Sequence, residues 1–163
     1  MTEIFTDVNG HHHRHTVPRG LVQPGIWSKH RAFILPSITA PFRTLLLKTT
    51  NPFVTKVYDV ICPTATFHDG RVILVGDAFT SLRPHIGAAT EQAAFQSNLL
   101  NGVYDGESTL TSWNKQVCLF AERMVLLGRI VAEIGTGTTI SVLKWIIVFI
   151  IFSLKEKLGW FER

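Results

Sequence analysis

Residues 71–94 read RVILVGDAFTSLRPHIGAATEQAA, and the reading of this stretch decides the fold. Val72, Ile73, Leu74 and Val75 form a short continuous apolar run, which predicts a strand covered on both faces, since a half-exposed strand would alternate apolar with polar residues. The run ends at Gly76-Asp77-Ala78, passes through a polar loop containing Arg83, Pro84 and His85, and resumes at Ile86-Gly87-Ala88-Ala89-Thr90 as a helix start. Ala88, Ala89, Ala93 and Ala94 are strong helix formers, and Asn101-Gly102 reads as the stop. A strand end thus delivers a carboxylate, and a helix start delivers free amides, into one small region. Asp77 can accept hydrogen bonds from a ligand's hydroxyls, while the amides favour partial negative charge. Alone, Gly76-Asp77 would be a turn and Gly87 a packing residue; together, with Pro84 between them, they point to a site.

Immediately upstream, residues 64–76 read as strand, Asp69-Gly70 turn and strand, with Asp-Gly supplying the positive φ angles of a two-residue type I′ turn. Residues 53–61 are rich in β-branched and aromatic side chains and stop before Pro63, so they predict one further strand. Pro24, Pro36 and Pro41 divide the preceding stretch into segments at 26–35 and 42–48. Pro41 suits the first turn of a short helix whose Leu45, Leu46 and Leu47 would cover one side by packing. At the beginning of the chain, Asn9-Gly10 between two short β-like runs predicts a hairpin. His11, His12, His13 and His15 follow it, and imidazoles are common metal ligands; with no Cys, Asp or Glu at a complementary spacing, they read as a solvated arm, and no metal site is assigned. The Val17-Pro18-Arg19-Gly20 that follows looks like a protease site behind a tag, but the native-looking strand before it argues for coincidence.

Downstream, Leu110, Trp113, Val117, Phe120, Met124, Leu127 and Val131 recur at spacings of three and four, predicting an amphipathic packing helix with Arg123 and Arg129 beyond the stripe. Residues 140–154, from Ile140 to Leu154, are apolar on all sides except at Lys144. A spanning helix needs about 20 apolar residues, so this run suggests either a buried or interfacial element or a membrane anchor with Trp145 and Trp160 at the interface.

Composition sets the outer bounds. The 163 residues show no low-complexity bias and suit about one domain, and 46% of them are hydrophobic, enough for a core. Sixteen Lys and Arg against twelve Asp and Glu leave a charge of +4 without basic runs, which argues against a nucleic-acid partner. Two cysteines, Cys62 and Cys118, make neither a disulfide framework nor a Cys-rich zinc site, and the first residues lack a secretory signal pattern, so a cytoplasmic location is expected, with membrane association through the 140–154 run as the alternative.

The 71–94 stretch resembles the second FAD-binding motif of the single-component flavoprotein aromatic hydroxylases, a family that includes p-hydroxybenzoate, salicylate and 2,6-dihydroxypyridine hydroxylases. Its Arg83-Pro84-His85 loop is most similar to the dihydroxypyridine hydroxylase branch. The resemblance implies that Asp77 binds the ribityl chain of FAD and that Pro84 shapes the turn beside the isoalloxazine ring. It also implies that the backbone amides of Gly87, Ala88, Ala89 and Thr90 face the flavin N1 and C2 carbonyl. Many relatives carry a second glycine where this chain has Thr90, and the added Cβ bears on how closely the backbone approaches the ring. The likeness extends over residues 3–134, as the end of a substrate-binding domain (1–70) and the C-terminal part of an FAD-binding domain with its closing helix (71–134), followed by a hydrophobic tail (135–163). The expected fold class is therefore α+β (α/β), an incomplete flavoprotein hydroxylase fold. The family's strand, Gly-x-Gly-x-x-Gly and helix for the adenosine diphosphate of FAD has no counterpart here, because Gly135-Thr136-Gly137 follows a helix and not a strand.

By resemblance the activity is NAD(P)H- and FAD-dependent monooxygenation of a phenolic or heteroaromatic small molecule, with no residue identifiable as a catalytic base. A partner chain carrying the dinucleotide-binding half is a further expectation. The alternative is a catalytically inactive remnant or interaction module that keeps the architecture without the redox chemistry.

Overall fold

A computed structural model describes residues 3–160 of the chain. The chain packs as two compact units, Met1–Val57 and Tyr58–Arg163. The boundary between them falls after Val57.

In the first unit, a 3₁₀ turn at Glu3–Phe5 leads into the loop around Asn9 and Gly10. Gly10 takes a φ of +81°, as an Asn-Gly turn requires, but the expected hairpin shrinks to one antiparallel bridge between Thr6 and His12. Asp7 is the reason. Its carboxylate accepts the backbone N–H groups of Asn9 (2.8 Å) and His11 (3.0 Å), so a local side-chain turn replaces part of the ladder. Strand β1 (Thr16–Val17) pairs antiparallel with β2 (Val54–Thr55), placing Thr16 opposite Thr55 and Val17 opposite Val54. Helices α1 (Pro24–Ile34) and α2 (Ala40–Lys48) both carry a proline in the first turn, where the missing N–H costs nothing and the fixed φ suits the helix. The leucines of α2 do not pack as expected: Leu45 is 64% and Leu47 53% exposed, and neither helix buries a residue. The small core of this unit is Val17 and Val22.

The strand expected over 53–61 is two pieces. Val54–Thr55 is β2, whereas β3 (Val60–Ile61) belongs to the second unit, where it pairs antiparallel with a later strand at Thr80–Ser81. The chain between them leaves the ladder to pair the Asp59 carboxylate with arginines, so one β-prone run serves two partners.

In the second unit, β4 (Thr66–Phe67) and β5 (Val72–Ile73) form the expected antiparallel hairpin. Its loop has four residues instead of two, with Phe67 opposite Val72, because His68, Asp69 and Gly70 all take positive φ. The 72–75 run is not covered on both faces: Val72 is 42% and Val75 36% exposed, and β5 has a single strand partner. A 3₁₀ turn at Gly76–Ala78 follows, then β6 (Thr80–Ser81), a second 3₁₀ turn at Pro84–Ile86, and helix α3 (Ala89–Tyr104), which runs past the expected stop at 101–102. Helix α4 (Leu110–Thr136) begins at Thr109, whose side chain accepts the Ser112 N–H at 3.1 Å. Its buried face holds Trp113, Val117, Ala121, Val125 and Leu126. Of the expected stripe, Phe120 instead stacks on Phe95 with ring centroids 4.3 Å apart, and Val131 faces outward. Trp113, Val117 and Ala121 meet Ala65 and Phe79 to form the core of the unit.

Helix α5 (Thr139–Lys157) starts with a Thr138 cap on Ser141 and buries only Phe152. It packs along α4, joined by an ion pair between Arg123 and Glu156 and by Arg129 stacked 4.7 Å above the Trp145 ring. Among the described residues no helix is long and apolar enough to cross a membrane, which removes the support for a membrane anchor through 140–154. The chain combines helices with three two-stranded antiparallel sheets among the described residues, an α+β arrangement consistent with part of a flavoprotein hydroxylase.

Candidate functional site

The turn Gly76–Ala78 lies against α3, and two glutamines hold it there. The Gly76 N–H donates to Gln96 Oε1 at 2.6 Å, and Gln92 Nε2 donates to the carbonyl of Thr80 at 2.9 Å. Both side chains are fully buried, so these bonds work in a low-dielectric interior where an unmade bond would be costly. Gly76 has a φ of +59°, and a Cβ there would meet the Cβ of Ala93 at 3.5 Å, an ordinary contact, so its glycine serves the backbone angle more than the space. Trp113 secures the same helix from the other side by donating its indole N–H to the Gln96 carbonyl at 3.0 Å. Neither glutamine was singled out in the sequence. Their signal is a polar pair spaced i, i+4 on a helix face otherwise made of alanine and leucine.

Of the six sequence-assigned residues, Asp77 sits in this turn, while Pro84, Gly87, Ala88, Ala89 and Thr90 lie in the second 3₁₀ turn and the start of α3. Asp77 and Pro84 are exposed, as are Gly87, Ala89 and Thr90, while Ala88 is buried. The Asp77 carboxylate engages no side chain or main-chain group among the described residues, so both oxygens are open to a ligand's hydroxyls. The Pro84–Ile86 turn closes with Gly87 N–H donating to the Pro84 carbonyl at 3.2 Å, and Gly87 is left-handed at φ +65°. That glycine redirects the chain into α3. No side chain caps the helix start at Ala88, which leaves the first amides of α3 for water or a ligand. A Cβ on Gly87 would find no atom within 4 Å, so the surface there is open. An exposed carboxylate and uncapped amides on the two sides of a proline turn suit a polyol joined to an electron-rich ring edge, and in this respect the residues fit a flavin.

A second cluster stands behind the turn. Asp59, with its side chain 6% exposed, pairs with Arg83 through one oxygen and with Arg129 through the other, at 3.0 Å to Nε and 2.6 Å to Nη2. Burial pushes the Asp59 carboxyl up, but the hydrogen bond and charge of Arg129, joined by Arg83, outweigh it and leave the group below its ordinary value. Sequence reading missed this cluster because its members are remote in the chain.

Among the described residues no group of three His, Cys, Asp or Glu side chains is placed to hold an ion. His13 instead faces Asp7 at 2.9 Å.

Fold, turn and comparisons together point to one class: the chain is similar to part of an FAD-dependent hydroxylase. A family model described as FAD binding domain-like matches residues 1–59. The chain is 33% identical over 123 residues to 2,6-dihydroxypyridine 3-monooxygenase of Paenarthrobacter nicotinovorans, an alignment covering 69% of this chain and 29% of that enzyme. The solved structure of 2,6-dihydroxypyridine-3-hydroxylase from Arthrobacter nicotinovorans matches with a TM-score of 0.62 and 26% identity, covering 81% of this chain and 34% of that one. The chain thus spans about a third of the length of these relatives. The branch suggested by Arg83-Pro84-His85 is the branch that the comparisons return.

Proposed function

We propose that this chain supplies the ribityl and ring-edge portion of an FAD site in a monooxygenase that hydroxylates a phenolic or heteroaromatic small molecule in the cytoplasm. The observation that carries the reading is the pairing of an exposed, unengaged Asp77 with the uncapped start of α3 across the Pro84–Gly87 turn. In this reading Asp77 accepts from the ribityl hydroxyls, Pro84 shapes the turn beside the ring, and the amides of Gly87, Ala88, Ala89 and Thr90 face its N1 and C2 carbonyl edge. The positive end of α3 would there stabilise the negative charge that a reduced flavin carries. Bound FAD would supply redox chemistry, with NAD(P)H as the electron source and O₂ as the oxidant.

The chain's own contribution is binding and orientation: the carboxylate fixes the polyol, and the helix start favours the anionic ring. A partner carrying the dinucleotide-binding portion would complete the enzyme. The test is a titration of the 163-residue chain with FAD, following quenching of flavin fluorescence, beside Asp77→Ala. Saturable binding in the wild type that weakens by about tenfold or more in the variant supports the site, since a charge-assisted bond carries about 1.5–3 kcal/mol. Equal binding by both chains removes Asp77 from it.

A second reading is a remnant or interaction module without redox activity. NAD(P)H oxidation by the FAD-loaded chain with phenolic substrates separates the two readings.

A further inference from the structure

We infer that Asp59 is a positioning residue for the Arg83–Gly87 turn, and that through it the start of α3 is set by a chain of contacts reaching helix α5. The inference rests on the flavin-site reading for its functional meaning and on geometry for its content. In the β3–β6 ladder Val60 lies opposite Ser81 and Ile61 opposite Thr80, and the Cys62 N–H extends the pairing to the Phe79 carbonyl at 3.0 Å. Continued one step the other way, the register places Asp59 across from Leu82 and diagonal to Arg83. At that point the strands stop pairing by backbone and pair by charge instead.

Arg83 is the residue from which the Pro84–Ile86 turn begins. Proline at 84 fixes φ there and removes an N–H, so the backbone itself offers the turn one anchor fewer. The Asp59 carboxylate supplies that anchor by holding the Arg83 guanidinium. The second oxygen of the same carboxylate takes the fork of Arg129, in the middle of α4, and the Arg129 guanidinium lies 4.7 Å from the ring of Trp145 on α5. Lys144 Nζ stands 5.3 Å from the same ring.

One buried carboxylate therefore ties together the turn that opens the candidate site, the central helix and the last helix. An Asp59 that merely satisfied Arg129 would not need to reach Arg83. A single arginine's fork could also have taken both oxygens, yet here each oxygen goes to a different arginine. The split is what a positioning role requires.

The test uses the whole chain without ligand and reads amide hydrogen exchange. The reporters are the amides of Gly87 and Gln92, bonded to the carbonyls of Pro84 and Ala88, with the segment around Trp113–Ala121 in α4 as control. Asp59→Asn keeps the shape and removes the charge. We expect exchange at the two reporters to quicken by about tenfold, as for loss of a charge-assisted contact at a locally opening segment, with the control unchanged. Arg83→Gln should reproduce this, the double variant should add nothing further, and Asp59→Glu should restore most of the protection. Unchanged reporters in Asp59→Asn overturn the inference, and so does equal acceleration in the α4 control, which would make Asp59 a general stabiliser. FAD titration of the same variants separates the two layers. If the wild type binds FAD, Asp59→Asn should bind it more weakly, and equal affinity ends the functional role. If the wild type binds none, the flavin reading fails while the exchange comparison still decides whether Asp59 sets the turn.

Discussion

Gly87 joins the Pro84–Ile86 turn to α3 in a left-handed conformation, φ +65° and ψ 15°, and the space where a Cβ would stand is empty to 4 Å. A substitution there meets no steric wall, so its cost is conformational and can be worked out. An L-residue in the left-handed region costs about 1–2 kcal/mol. Alanine recovers about 0.4–1 kcal/mol of that by restricting the unfolded chain. Gly87→Ala should therefore destabilise the second unit by up to about 1.6 kcal/mol, and Gly87→Asn by less, because asparagine tolerates this region better. Urea denaturation followed by far-ultraviolet circular dichroism reads the difference. At Gly70, φ is +82° and a Cβ would fall 2.5 Å from Leu110 Cδ2, so Gly70→Ala carries a steric cost in addition and should destabilise more than Gly87→Ala. Only the Gly87 variants should also alter FAD affinity. Equal destabilisation by alanine and asparagine at 87, or a Gly70→Ala milder than Gly87→Ala, would refute the reasoning.

Trp113→Phe removes the bond to the Gln96 carbonyl and part of a 1%-exposed side chain, and should cost about 2–4 kcal/mol in the same denaturation experiment, with Trp113→Ala at about 3–5 kcal/mol or more. Asp59 and Asp7 both titrate below their ordinary range; for Asp7 the leading cause is the hydrogen bond from His13. A carboxyl depressed in the folded state gives stability that is present above its unfolded pKa of about 4 and lost as pH falls through the lower folded value. Asp59→Asn should accordingly flatten the acid side of the stability profile between about pH 5 and pH 2 while lowering stability at neutral pH. Burial, with Glu122 adding to it, pushes the Cys118 thiol up, so at neutral pH the Cys62→Ser variant should alkylate with iodoacetamide more slowly than a free cysteine.

Local signals were legible where one segment determines its own structure. Pro41 marks the first turn of α2, the repeat of apolar residues from Leu110 marks α4, and Asp69-Gly70 marks the turn of the β4–β5 hairpin. The Gly76-Asp77 turn and the helix after Gly87 were readable for the same reason, as was the family whose motif they match. What escaped depends on partners far away in the chain. The Asp59 pairs with Arg83 and Arg129 have no periodicity to betray them, and Gln92 and Gln96 look like surface residues until the 76–80 turn is laid against them. Expectations failed where composition was taken for burial. The apolar run of β5 and the leucines of α2 are sheltered only if something covers them, and strand or helix propensity does not say what does. Apolarity on every side of α5 likewise set neither its burial nor a crossing of the membrane.

The uneven share of helix between the two units decides what a melting curve can see. Helices α3, α4 and α5 hold 16, 27 and 19 residues, against 11 and 9 in α1 and α2. Ellipticity at 222 nm is therefore largely a report from one end of the chain, and the first unit could open early with little trace in it. Among the four tryptophans, only Trp27 belongs to that quieter unit. A chain with phenylalanine at the other three would carry a fluorescent clock for the unit that dichroism passes over, once the cost of losing Trp113 is allowed for.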